Sequence, residues 1–246
     1  MENNEWVSSA SMNSVRSYAA AVQLPGGKIL VTGGYNGSLD HSSTEMLTED
    51  GWESNIPSLP VPIAQHCIIT VNSTTVMVLG GFQNYQVSGR TFYFTPEKGS
   101  WSQGPQLKHK RRRHSCGRVR RDKDSQEMSI IVAGGSDDSF YLSSVEILDE
   151  SSHEWWTGPE LPFGIQYSQM VDDPQGGVIL IGGESKLIGF TSTLYQLPHV
   201  GRDAVWTKKE EQLKIGRKLH SAFLVPANSV DCSQRLNDIR SYPVKN

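Results

Sequence analysis

The chain has 246 residues, 37% of them hydrophobic and 20% charged, with 23 glycines and a formal net charge of −3. A balance so close to neutral gives no reason to expect a polyanion partner, and no apolar run approaches the ~18 residues that span a bilayer. Three cysteines, Cys67, Cys116 and Cys232, are too few and too scattered for a disulfide framework or a zinc site.

The opening residues hold neither a basic stretch nor an apolar one, so no secretion leader is expected and the expected location is cytoplasmic. An extracellular location would follow if the natural N-terminus lies further upstream. A tryptophan segment, WVSSASM at 6–12, comes first, then an apolar strand, RSYAAAV at 16–22. Next is KILVTGG at 28–34, a run of apolar, mostly β-branched residues stopped by two glycines. Such side chains suit a pleated, packed surface, and paired glycines admit positive φ and close backbone approach. After a polar loop come TEML at 44–47, then Trp52, then Leu59 with Pro57 two residues before it.

This order returns three times. The first strands of the later units are IAQHCII at 63–69, RRRHSC at 111–116 and GIQYSQMV at 164–171. The glycine-pair strands are TVMVLGG at 75–81, SIIVAGG at 129–135 and GVILIGG at 177–183. Third strands follow at 91–94, 144–148 and 193–197, and fourth strands are marked by Trp101, by Trp155 or Trp156, and by Trp206. They end at Leu107, Leu161 and Leu213, with Pro105 and Pro159 repeating the place of Pro57. The glycine pairs are spaced by about 47, 54 and 48 residues, a period that marks propellers and solenoids. Each unit reads as one antiparallel four-stranded sheet, which buries both faces only by stacking on its neighbours. A fifth first strand, RKLHSAFLV at 217–225, has no glycine pair behind it, and 227–246 read as a polar tail.

Four joint columns, with a tryptophan about 18–23 residues after each glycine pair, resemble the kelch-repeat β-propeller. The resemblance implies an all-β propeller over 1–226 with four complete four-stranded blades at about 16–59, 63–107, 111–161 and 164–213. Segments 6–12 and 217–225 are left as orphan strands. The ring is then partial or irregularly closed: the chain is a fragment or isoform of a longer propeller, or an open ring, or one of two copies that complete each other.

Candidate chemistry is sparse. The segment 108–121 carries eight basic residues in fourteen and reads as a contact for an acidic partner or as a solvated loop. It lacks the interleaved aromatics that base stacking needs. His66, His114 and His220 share a repeat column with Ala19 and Tyr167, which explains them without a metal. Cys67 and Cys116 lie in equivalent apolar strands and read as small buried residues. The paired acids Asp137 and Asp138, Asp172 and Asp173, and Glu210 and Glu211 read as turn residues, so no catalytic residue, metal or cofactor is assigned.

What the resemblance implies is a binding surface at one mouth of the propeller, where the loops after the glycine pairs meet those leading into each first strand. Similar kelch proteins bind partner peptides there, often acidic ones. Carried over by column, the candidates are Arg16, Arg111, Arg112 and Arg217 from the leading loops. The loops after the glycine pairs supply Tyr35, Asn36, Gln83, Asn84, Tyr85, Asp137, Asp138, Glu184 and Lys186. Ile63 and Gly164 stand where the other units carry arginine. The expected function is a non-catalytic protein-interaction module, with neither nucleic acid nor membrane as partner. By family association it is a substrate-recognition part of a cullin-type ubiquitin ligase or an actin-binding protein. Alternatives are a truncated secreted kelch protein, or an enzyme resembling galactose oxidase or sialic acid epimerase.

Overall fold

Each apolar run before a glycine pair becomes the second strand of a four-stranded antiparallel sheet. The computed structural model describes residues 8–149 and 151–225. The first sheet joins β1 (Ala20–Gln23), β2 (Ile29–Thr32), β3 (Thr44–Thr48) and β4 (Gly51–Ile56) in chain order. The second holds β5 (Cys67–Asn72), β6 (Thr75–Gln83), β7 (Gln86–Thr95) and β8 (Ser100–Gln103). The third holds β9 (Ser115–Arg120), β10 (Met128–Ala133), β11 (Val145–Asp149) and β12 (Glu154–Thr157). The fourth holds β13 (Gln169–Asp172), β14 (Val178–Ile181), β17 (Thr193–Leu197) and β18 (Thr207–Gln212). A small hairpin, β15 (Glu184–Ser185) with β16 (Gly189–Phe190), interrupts the last sheet. The first strands β1, β5, β9 and β13 lie next to one another in that order, so the sheets fan out as propeller blades.

The core lies between the sheets. Side chains alternate across a strand, and β6 shows the result: Val76 and Val78 pack toward the first sheet, while Met77 and Leu79 pack toward the third. In β10, Ile130 and Val132 face back to β6, and Ile131 and Ala133 face the fourth sheet. Burial on both faces is why these strands read as unbroken apolar runs.

The tryptophans close each junction. The indole N–H of Trp101 donates to the Pro57 carbonyl at 2.8 Å, Trp155 to Pro105 at 2.8 Å, and Trp206 to Pro159 at 2.9 Å. Each donor thus finds its acceptor at the end of the preceding sheet, which also settles Trp155 over Trp156 for this place. Trp52 does the same to the Ala10 carbonyl at 2.9 Å. Ala10 therefore occupies the proline position of a preceding unit, in the register expected for 6–12. Residues 8–12 form no strand, and Trp6 lies outside the described residues, as does the segment 227–246.

The glycine pairs supply the reverse bond. Gly34 N–H donates to Ile63 O at 2.9 Å, Gly81 to Arg111 O at 2.8 Å, Gly135 to Ile165 O at 2.7 Å and Gly183 to Arg217 O at 2.8 Å. A methyl group on Gly33 would stand 2.2 Å from the Ile63 oxygen, and at φ 60° the backbone there favours glycine in any case. These bonds correct the sequence alignment in the fourth unit. Ile165, not Gly164, takes the arginine place, and Ser168, not Tyr167, takes the histidine place. Residues 217–225 form no strand, because no described residue offers them a second strand to pair with.

Cys67 and Cys116 are also corrected: they form a disulfide, with Cα atoms 6.2 Å apart, instead of standing as separate small residues. A separation of 49 residues is one repeat, which sets β5 beside β9.

Candidate functional site at the mouth of the propeller

Two sets of loops meet on one face. Isolated bridges pair Ser17 with Tyr35, Ala64 with Phe82, Arg112 with Ser136 and Gln166 with Glu184. In every sheet, the segment leading into the first strand is thereby tied to the loop after the glycine pair. A second main-chain series runs around the mouth: Gln65 N–H donates to Tyr18 O, Arg113 to Gln65 O and Tyr167 to Arg113 O, each at 2.9 Å. Tyr18, Gln65, Arg113, Tyr167 and Leu219 all hold φ between 55° and 59°. Left-handed backbone is strained for such residues, and its recurrence at one column sets these side chains at the opening.

Arginines expected to act alike part company here. The side chains of Arg16 and Arg111 are buried and do not reach the mouth. The Arg16 guanidinium donates to Gly33 O at 2.7 Å, Ser43 O at 3.0 Å, Ser43 Oγ at 2.8 Å and Glu45 Oε1 at 2.8 Å. Arg111 repeats this with Gly134 O at 2.8 Å, Ser144 O at 3.0 Å, Ser144 Oγ at 3.0 Å and Glu146 Oε1 at 2.7 Å. A buried guanidinium needs its carboxylate and its remaining acceptors together, and each sheet supplies all four. Burial lowers the Arg111 pKa, while Glu146 opposes the shift. Arg217 is exposed at the edge of the fourth sheet.

Arg112 and the unforeseen Arg113 do stand at the mouth. Arg112 lies 4.6 Å over the Phe82 ring and Arg113 4.8 Å over the Tyr167 ring, contacts in which ring quadrupoles attract the cation. Arg113 also donates to Gln65 Oε1 at 2.9 Å and Gln166 Oε1 at 3.3 Å. Burial lowers the Arg112 pKa, and the neighbouring Arg113 charge adds to this.

Beside the two cations, a cleft of about 430 Å³ opens between the first and second sheets. Tyr18, Tyr35, Leu39, Pro62, Phe82 and Tyr85 form its apolar wall, with Asp40, Gln65 and Asn84 as polar points. Burial raises the Asp40 pKa, against the pull of His41. Phe82 lines the cleft and carries Arg112, and Gln65 lines it and holds Arg113. Cleft and cations are thus one surface.

The remaining candidates divide between site and scaffold. Tyr35, Asn84 and Tyr85 line the cleft, whereas Gln83 ends β6. Asn36 accepts from Ser38 and Leu39 N–H, and Asp137 from Ser139 and Phe140 N–H, so both close their turns. Asp138 pairs with Lys110, whose hydrogen bond lowers its pKa. Glu184 binds Lys218 at 3.1 Å, and Lys186 lies over Tyr141. His66 and His114 are buried between sheets, His66 Nε2 lying 2.8 Å from Thr32 Oγ1. Tyr18, Gln65, Arg113 and Tyr167 were missed, because a shared left-handed backbone has no signature in non-glycine residues, and Phe82 because it reads as the end of an apolar strand.

A family model for the kelch motif matches residues 129–162, the second to fourth strands of the third sheet. The spermatocyte protein spe-26 of Caenorhabditis elegans is 29% identical over 106 residues, 43% of this chain. That match spans 18% of the spe-26 protein. The solved structure of YjhT superposes with a TM-score of 0.69 at 15% identity, covering 84% of this chain and 68% of that one.

Proposed function

We propose that this propeller, whose residues 129–162 match the kelch motif, is a non-catalytic interaction module that seats a partner polypeptide across the mouth. The observation that carries this is the continuity of the aromatic cleft with the stacked guanidinium groups of Arg112 and Arg113. Aromatic walls with a few placed polar groups fix an extended segment by its apolar side chains. Tyrosine and arginine are also the residues that most often dominate binding energy. The partner that fits places an aliphatic or aromatic side chain in the cleft and a carboxylate one or two residues along, over the arginines. Service as the recognition part of a cullin-type ubiquitin ligase, or on actin, belongs to the same proposal through the family resemblance alone.

The test is capture from an array of such peptides by purified protein. Tyr85→Ala and Arg113→Glu should each weaken capture about tenfold or more, with melting temperature held within about 2 °C. Capture that ignores both substitutions would remove the mouth from the reading. Turnover of a glycan or an alcohol at this surface would replace it with an enzyme.

A further inference from the structure

We propose that residues 217–225 form an acceptor edge for a β-hairpin of another polypeptide, which adds two strands and brings a carboxylate to Arg217. This does not rest on the mouth, and the first observation is one of register. Arg217 O accepts the Gly183 N–H at 2.8 Å, as Ile63, Arg111 and Ile165 accept at the earlier junctions. Leu219 has φ 56°, matching Gln65, Arg113 and Tyr167. The His220 imidazole packs against Gly182 as His66 packs against Gly33 and His114 against Gly80. Residues 217–220 therefore hold the shape of a sheet's opening.

What the opening needs can be read from its siblings. Arg16 and Arg111 share this column, and both have fully buried side chains. Their partners come from the sheet each one opens: the first glycine carbonyl, a serine carbonyl and hydroxyl, and a glutamate two residues after that serine. Where the column holds isoleucine, the glutamate is replaced. Strand pairing sets Glu45 opposite Val31, Phe92 opposite Val78, Glu146 opposite Val132 and Tyr195 opposite Leu180. Arginine thus goes with glutamate, and isoleucine with an aromatic ring.

Arg217 has the arginine and none of the partners. Its side chain is exposed, with one hydrogen bond to Ile215 O at 3.4 Å and no carboxylate paired to it among the described residues. Phe223 and Leu224, along the same edge, are 75% and 60% exposed. An exposed edge of this kind pairs with an added strand through main-chain bonds, with side chains setting register. The occupant is defined by charge and spacing: an apolar strand ending in two glycines, then a strand opening Ser-x-Glu.

A synthetic peptide of residues 28–48 carries Gly33, Gly34, Ser43 and Glu45 in this order and serves as the probe. Its labelled form should bind the full chain saturably in fluorescence anisotropy. Glu45→Gln in the peptide, or Arg217→Ile in the chain, should each weaken binding about tenfold or more. The Arg217→Ile chain should in turn prefer a Glu45→Phe peptide, copying the second sheet, while Tyr85→Ala leaves every one of these affinities unchanged. Absence of saturable binding, or affinities indifferent to Arg217, overturns the proposal. So does a sedimenting dimer of the chain that Arg217→Ile dissolves, since the edge would then be covered by a second copy.

Discussion

The indole N–H of Trp155 donates to the carbonyl oxygen of Pro105, 2.8 Å away and 50 residues earlier. The bond joins the third sheet to the second at a place where Trp155 is buried and Trp156 is only half-buried. Trp155→Phe keeps most of the apolar area and loses the donor, so it should cost about 1–2 kcal/mol. Trp155→Ala should cost about 3–5 kcal/mol. Trp156→Ala should cost distinctly less, and urea titration of the three variants orders them.

The clamp around Arg111 predicts a non-additive pair. Glu146→Leu leaves a buried guanidinium without its counter-charge and should destabilise by about 3–5 kcal/mol. Arg111→Ile combined with Glu146→Phe installs the side chains of the second sheet, Ile63 and Phe92. It should recover a large part of that loss. A double mutant as unstable as the sum of its singles would show that the two columns are not coupled.

Stability should fall on acidification, from two sources of the same sign. Burial pushes His66 and His114 from near 6.5 down to about 3. The unfolded chain then binds protons that the folded one refuses, and stability declines as pH drops through 6.5 toward 3. Burial alone would raise the Glu45 carboxyl, but Arg16 and the Asn13 N–H hold it below its ordinary 4.5. Its contribution is in place above 4.5 and is lost as pH falls further. Urea midpoints measured from pH 8 to pH 4 should decline, and His66→Leu with His114→Leu should flatten the upper part of the curve.

The Cys67–Cys116 bond should appear as a linked pair in a non-reducing peptide map. It closes a loop spanning 49 residues, so its reduction should cost about 2–4 kcal/mol. Bonds of this kind persist in oxidising compartments, and recovery of the linked pair from cells would support the extracellular alternative. Complete alkylation of both thiols in native protein from cells would count against the cross-link there.

Much of the fold could be read because its signals are local and recur. The glycine pair and the tryptophan recur in four copies and the proline before the last leucine in three, and together they fix the order of the strands. What stayed hidden depends on which sheet lies beside which. Arg16 and Arg112 look alike in sequence, yet one is buried in a clamp and the other stacks on Phe82 at the surface. The loop before the fourth sheet hid the one-residue shift from Gly164 to Ile165, since both neighbours are plausible in a turn. Gln65 and Arg113 carry no motif, and only the left-handed backbone common to their column brings them to the mouth.

The two bonds that close each junction run in opposite directions, tryptophan backward and glycine forward, and both end on main-chain carbonyls. A carbonyl is present whatever the side chain, as Ala10 shows by standing where proline stands elsewhere. For these two bonds a unit therefore requires of its neighbour a backbone path and no particular residue, unlike the matched pair Cys67–Cys116 that joins the second and third sheets. Such bonds let a gene lengthen by duplication, and survive the drift of the copies with no matched change on the other side of the seam.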